Sequence, residues 1–168
     1  AHVPDDPYFF TANSWNSLWA DDFDDLWGLK AIGAPAAWDL TMGQGTVIAV
    51  VDTGVDRNHP DIADNIWSNP DEIAGNSIDD DGNGFVDDSW GWDFVTGDNN
   101  PFDGHGHGTH VAGIAAAVGD NGIGVLGVAP RAKIMSVRIF SGEEQSSGGA
   151  EAIVYAAESG ADQVAGVV

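Results

Sequence analysis

The run Val47-Ile48-Ala49-Val50-Val51, closed by Asp52-Thr53-Gly54, constrains the fold of this chain more than any other feature. A strand with one wet face alternates apolar and polar residues. A continuous β-branched run is instead covered on both faces, as in a parallel sheet flanked by helices. Asp52 then stands at the C-terminal end of a core strand, the place where open α/β sheets put their sites.

The rest of the chain fits an α/β domain. Gly33-Ala34-Pro35-Ala36-Ala37-Trp38 reads as a short helix with Pro in its first turn. From His107, the residues Val111, Ala112, Ile114, Ala115 and Val118 predict a helix that packs closely through Gly113 and its alanines and stops at Gly119. Val125 to Val128 is a connector, and Ile134 to Phe140 is a second core strand. Ala150, Ile153, Val154 and Ala157 recur at helical spacing before a stop at Gly160. Residues 1–30 read as an N-terminal arm packed on the domain, with its rings (Tyr8, Phe9, Phe10, Trp15, Trp19, Phe23, Trp27) inward and Asp21, Asp22, Asp24 and Asp25 outward. Residues 31–168 form one domain with no repeat and no linker.

Charge narrows the partners. The chain has 27 acidic against 5 basic side chains, a net charge of -22, which argues against nucleic acid, since that is bound through Lys and Arg clusters. Such a surface suits divalent cations or a salty exterior, or serves simply as a self-repelling soluble surface. The absence of cysteine excludes disulfides and thiolate metal sites. No apolar run reaches the roughly 18 residues of a membrane span, and no signal peptide is visible at Ala1.

A second motif, Gly104-His105-Gly106-His107-Gly108-Thr109-His110-Val111-Ala112-Gly113, supplies histidines at a helix start. A hydroxyl nucleophile needs a base to take its proton, and that base needs a buried carboxylate to fix its tautomer. Asp52 and His107 suit those roles. Together the two motifs resemble the first two members of the triad in subtilisin-like serine proteases (subtilases). The resemblance extends to Asp56-Arg57-Asn58-His59-Pro60-Asp61-Ile62 and to Gly122-Ile123-Gly124-Val125-Leu126-Gly127-Val128-Ala129-Pro130, and so covers nearly the whole chain.

The resemblance selects His107 as the base, because G-T-H follows it. His105 falls in the preceding loop as a surface residue, and His110 is expected to be a packed, hydrogen-bonded structural residue. Zinc on His105, His107 and His110 is the rival chemistry, but their spacing lacks the i, i+4 pair of helical zinc sites. The implied fold is α/β, a partial subtilisin-like three-layer sandwich with a mainly parallel sheet that lacks the family's C-terminal strands and helices.

The family's nucleophile lies in a downstream G-T-S-M-A segment, and no such segment occurs here. Its oxyanion Asn and its primary specificity pocket also lie further downstream. Ser146 and Ser147, in a Gly-rich stretch before a helix, read as caps rather than substitutes. Ser141 to Ser147 line the outer substrate cleft by resemblance. After Gly160-Ala161-Asp162 the family continues into a strand with Asn and Ser. Gln163 to Val168 departs from that pattern, as a divergent strand or an altered end.

Asp79-Asp80-Asp81-Gly82-Asn83-Gly84-Phe85-Val86-Asp87-Asp88 sets oxygens at positions 1, 3 and 5 with Gly at 6, like the opening of an EF-hand loop. Trp90 stands where the closing Glu belongs. A calcium site would use Asp79, Asp81, Asn83, the Phe85 carbonyl, and Asp87 or Asp88. A solvated turn is the alternative.

Two functions follow. The first is a serine endopeptidase acting on proteins or peptides, secreted by resemblance. This chain would carry its Asp and His and be inactive without the remaining C-terminal part of its own domain. The second is a non-catalytic calcium-binding or interaction module derived from a subtilase. On the first reading an isolated chain exposes a sheet edge and apolar face, and is marginally stable or aggregation-prone.

Overall fold

The computed structural model describes residues 4–9, 26–141 and 148–166. A four-stranded sheet is built from β1 (Val47–Asp52), β2 (Gly91–Asp93), β3 (Lys133–Arg138) and β4 (Gln163–Gly166), in the order β2-β3-β1-β4. Every pairing is parallel, and the register sets Val50 beside Ser136 and Asp52 beside Arg138. Asp52 therefore ends one of the two strands that have a neighbour on each side.

Two helices cover the two faces. Ala49, Val51, Met135 and Val137 point to α4 (Gly149–Glu158), where they meet Ala152, Tyr155 and Ala156. Val50 and Ile134 point the other way, to Ala112 and Ala116 of α3 (His107–Ala116), with Val55 and Ile62 closing the layer. The continuous apolar run is thus explained, since alternate residues of one strand serve different cores. Each fully buried Val or Met on these faces contributes about 1.5–3 kcal/mol. The result is the helix–sheet–helix sandwich expected from the sequence.

A third cluster joins Phe9 to Leu29 of α1 (Trp27–Ala31), Ala34 and Trp38 of α2 (Ala34–Trp38), Met42 and Leu126. Trp38 Nε1 also donates to the Val128 carbonyl at 2.9 Å. Pro35 sits in the first turn of α2. Residues 10–25, which carry Phe10, Trp15, Trp19, Phe23 and their neighbouring aspartates, lie outside the described residues.

The structure overturns one local expectation, adds one strand and decides between two alternatives. First, α3 ends at Ala116 rather than at Gly119: Ala117 is extended, and the Val118 amide donates to the Asp61 carbonyl instead of continuing the helix. Second, β2 has no apolar run to announce it. Its Gly91 has φ 119° and lies against the β3 backbone, where a side chain would strike the Ser136 carbonyl. Third, Gln163 to Gly166 is a strand paired with β1, while residues 167–168 lie outside the described residues. No described helix is long and apolar enough to cross a membrane.

Candidate active site and acidic loop

β1 delivers Asp52 and α3 delivers His107 to one point. Asp52 Oδ1 lies 2.7 Å from His107 Nδ1 and accepts the Thr53 N–H at 2.7 Å. The Asp52 side chain is 0% exposed and that of His107 is 44% exposed. A carboxylate buried behind a half-exposed ring holds Nδ1 and leaves Nε2 as the nitrogen not engaged by Asp52. That polarity suits a base acting on something at the surface.

The approach depends on glycine. A Cβ on Gly108, the residue after His107, would strike the Gly54 carbonyl and sit 3.1 Å from the Asp52 Cβ. Gly54 has φ 97°, and a Cβ there would meet the Pro101 carbonyl at 2.5 Å. Only the two glycines let the end of β1 and the first turn of α3 touch.

Sequence reasoning missed a second buried carboxylate beside Asp52. Asp103 Oδ1 accepts from Thr53 Oγ1 at 2.9 Å, His105 N at 2.9 Å and Gly106 N at 2.8 Å. Its Oδ2 accepts from Thr109 N at 2.9 Å and Thr109 Oγ1 at 2.6 Å. Burial pushes its pKa up, but the Thr109 hydroxyl and the amides of Gly106, Thr109 and His105 outweigh burial and hold it below the ordinary carboxylate range. No spacing rule marks Asp103, because it precedes the N-cap position Gly106 and reaches the helix start through the folded loop.

His105 is exposed, as expected. His110 is exposed as well, contrary to the packed role expected for it. Its face of α3 lines an apolar groove with Ile114, Trp27 and Ile32 rather than a core, because the helix buries only its small residues against the sheet. The ring nitrogens of His105, His107 and His110 form no cluster among the described residues that could hold a metal. Ser141 is exposed, whereas residues 142–147, including Ser146 and Ser147, lie outside the described residues.

The acidic loop divides into separate jobs. Asp79 folds the loop on itself by accepting from Asn83 N at 3.1 Å and Gly84 N at 2.8 Å. Asp87, at φ 57°, accepts from Gly75 N, Asn76 N and Ser77 N at 2.7, 3.0 and 2.9 Å. The carboxylates that converge are Asp81, Asp88 and Glu72, each offering an oxygen within 4.8 Å of the others. Glu72 was not anticipated, because it precedes the loop motif and arrives by tertiary folding. Its Oε1 accepts from Asp80 N at 2.7 Å and Asp81 N at 3.2 Å, while its buried Oε2 has no partner.

Asn69 and Asn83 each donate through Nδ2 to both Asp81 and Asp88. The Phe85 ring packs on Trp92, Phe94 and Tyr155. Tyr155 also donates to Asp88 Oδ2 at 2.7 Å. Burial and the Asp88 charge hold its phenol protonated far above its ordinary range.

A second acidic group joins Asp5, Asp6 and Asp120. Asp6 is fully buried, its Oδ1 has no partner, and burial raises its pKa against the opposing hydrogen bond from the Asp120 amide.

Residues 43–166 match Peptidase S8, the subtilase family. Thermitase of Thermoactinomyces vulgaris is 40% identical over 162 residues, which is 95% of this chain and 46% of that protein. Subtilisin-like protease 1 of Plasmodium berghei (strain Anka) is 41% identical, over 71% of this chain and 21% of its own. Among solved structures, fervidolysin from Fervidobacterium pennivorans, a keratinolytic enzyme related to subtilisin, aligns with a TM-score of 0.61 and 31% identity, over 84% of this chain and 20% of that one. The chain thus spans less than half the length of these relatives. With its parallel sheet, its two faced helices and this match over most of its length, the chain belongs to the subtilase family of serine proteases.

Proposed function

We propose that the chain carries the acid–base part of a serine endopeptidase of the subtilisin type. The observation that carries this reading is the 2.7 Å contact between the buried Asp52 and the half-exposed His107. Asp52 fixes the imidazole with its proton on Nδ1. His107 Nε2 takes the proton of a serine hydroxyl as that oxygen attacks the peptide carbonyl, and then gives it to the departing amine. Water repeats the cycle on the acyl-enzyme. The substrates are proteins or peptides.

The chain contains no G-T-S-M-A segment, so the nucleophile comes from elsewhere in the domain and the chain alone is inactive. The remaining part of the domain is its partner, and the apolar groove along α3, where Ile114 is 57% exposed, offers that part a surface. A serine-directed phosphonate should leave the chain alone unlabelled. It should label the protein in which the chain is continuous with a G-T-S segment, and His107→Ala should abolish that labelling. Labelling that survives this substitution defeats the reading.

The acidic loop is proposed to hold calcium through Glu72, Asp81 and Asp88. The orphaned, buried Glu72 Oε2 supports this, because clustered carboxylates repel one another unless a hard cation takes their oxygens. Asp79, Asn83, Phe85 and Asp87 shape the loop. The same reasoning applies to Asp5, Asp6 and Asp120, where Asp6 Oδ1 is the orphan. Calcium here is structural and takes no part in the proton transfers. Titration calorimetry on the chelator-treated chain checks it: no calcium heat sinks both sites.

Secretion follows from this reading, and detection in culture supernatant tests it. The second reading, a calcium-binding or interaction module without catalysis, is favoured by the lack of a G-T-S-M-A segment. Coding sequence that continues without such a segment would establish it.

A further inference from the structure

The Asp52–His107 contact joins two segments that are far apart in the chain, and one buried carboxylate ties both of them. Thr53 follows Asp52, and its Oγ1 accepts the Gly108 N–H at 2.9 Å; Gly108 follows His107. Thr109 Oγ1 in turn accepts the Asp56 N–H at 3.0 Å. Each hydroxyl thus bridges the segment after β1 to the first turn of α3.

A hydroxyl has one proton, and it presents a lone pair to an amide reliably only when that proton is directed elsewhere. Both protons go to Asp103: Thr53 Oγ1 donates to its Oδ1 and Thr109 Oγ1 to its Oδ2. The remaining acceptor capacity of the carboxylate takes the amides of His105, Gly106 and Thr109, which open the helix. Asp103 is acceptor-only while ionised, so both hydroxyls must point their protons at it.

We propose that Asp103 is a positioning residue that sets the Asp52–His107 contact, by directing both threonine hydroxyls and capping α3 with one buried carboxylate. It touches neither the ring of His107 nor a substrate, and acts through Thr53 and Thr109. The inference rests on the proposed role of the Asp52–His107 pair and adds a residue to it.

Asp103→Asn keeps the shape and replaces one acceptor oxygen with a donor, which must then face an amide or hydroxyl donor. Thr53→Val removes one of the two bridges and Thr53→Ser keeps it. The readout is the imidazole nitrogen NMR shifts of His107 in the labelled chain at neutral pH, which report where the ring proton sits.

The wild-type ring and Thr53→Ser should show the Nδ1–H tautomer. Asp103→Asn and Thr53→Val should shift toward the Nε2–H form while overall amide dispersion is retained. If Asp103→Asn fails to fold, the Thr53→Val and Thr53→Ser pair decides. In the intact protease, kcat of Asp103→Asn should fall on the order of 10²-fold with KM unchanged, the size expected from a small misplacement of reacting groups.

Asp52→Asn is the control. A ring unchanged by Asp52→Asn overturns the underlying dyad reading. A ring that responds to Asp52→Asn but keeps its wild-type shifts in the folded Asp103→Asn or Thr53→Val chain overturns the positioning inference alone.

Discussion

The Asp103 network and the Glu72–Asp81–Asp88 cluster both bury carboxylates in a chain of net charge -22, yet they are built in different ways. Around Asp103 the protein supplies the donors: two hydroxyls and three amides saturate one carboxylate. Around Glu72, Asp81 and Asp88 the protein also supplies donors, but three carboxylates converge and one buried Glu72 oxygen is left without a donor. A saturated carboxylate holds a geometry by itself. A cluster with an unsatisfied buried oxygen is strengthened when something positive arrives. The comparison separates a part organised for chemistry from a part that, on the calcium reading, is organised by a ligand.

The largest effect that tests this contrast lies at Asp52. In the intact protease, Asp52→Asn should lower kcat on the order of 10⁴-fold, because the ring loses the acceptor that selects its tautomer. Steady-state kinetics on a peptide substrate measure this, and a loss of less than about tenfold would remove Asp52 from the mechanism. Calcium removal comes next and should act on the other region. At a calcium level 100-fold above Kd, binding contributes about 2.7 kcal/mol, or about 5–10 °C in Tm for a chain of this size. Glu72→Gln should erase most of the difference between melts in calcium and in chelator that this loop contributes, and an unchanged difference excludes Glu72 as a ligand.

How much of this was legible in the sequence follows the same division. β1 and β3 were readable because a continuous apolar run marks a strand covered on both faces, and α3 because its small residues pack on the sheet. α4 was placed by a helical spacing of Ala150, Ile153, Val154 and Ala157 that lies on its exposed face, its buried face being Ala152, Tyr155 and Ala156. Asp52 and His107 were readable because their two motifs resemble those of the subtilases, with Asp52 also standing at the end of a core strand. Asp103 was not, since its partners are amides and threonines brought together by loops, and no period marks them. The loop motif named Asp79 and Asp87 beside Asp81 and Asp88, but a linear motif cannot show that two of its carboxylates turn back onto their own backbone. Nor can it show that Glu72 converges with Asp81 and Asp88. His110 was expected inside because it matches the second His of the family motif, and a linear motif does not show which face of a helix another layer covers.

A smaller effect links the loop to the core. Tyr155 on α4 donates to the fully buried Asp88, so Tyr155→Phe strips one donor from a buried charge at little change in shape. The cost should be about 1–3 kcal/mol. It should be larger in chelator than in calcium, because a bound cation takes over part of the charge. Denaturant midpoints with and without calcium read this directly, and equal losses in both conditions would mean that Asp88 does not sense the cation.

The smallest effect is a difference in pH slope between Asp103 and Asp6. The folded pKa of Asp103 lies below its ordinary value of about 3.9, so in acid the unfolded chain binds the proton first. Its stabilising contribution is complete above that ordinary value and is lost as pH falls through the depressed folded value. Asp6 has the opposite sign: burial raises its pKa, so a destabilising contribution appears as pH rises from about 3.9 through the raised folded value. In chelator, Asp103→Asn should therefore flatten the acid limb of a plot of urea midpoint against pH, and Asp6→Asn should steepen the net rise. Calcium should cancel the Asp6 contribution and leave that of Asp103 untouched, because of these two residues Asp6 alone has a buried oxygen without a partner. An Asp103→Asn chain that tracks the wild type at every pH would show that its five donors stabilise neither protonation state over the other.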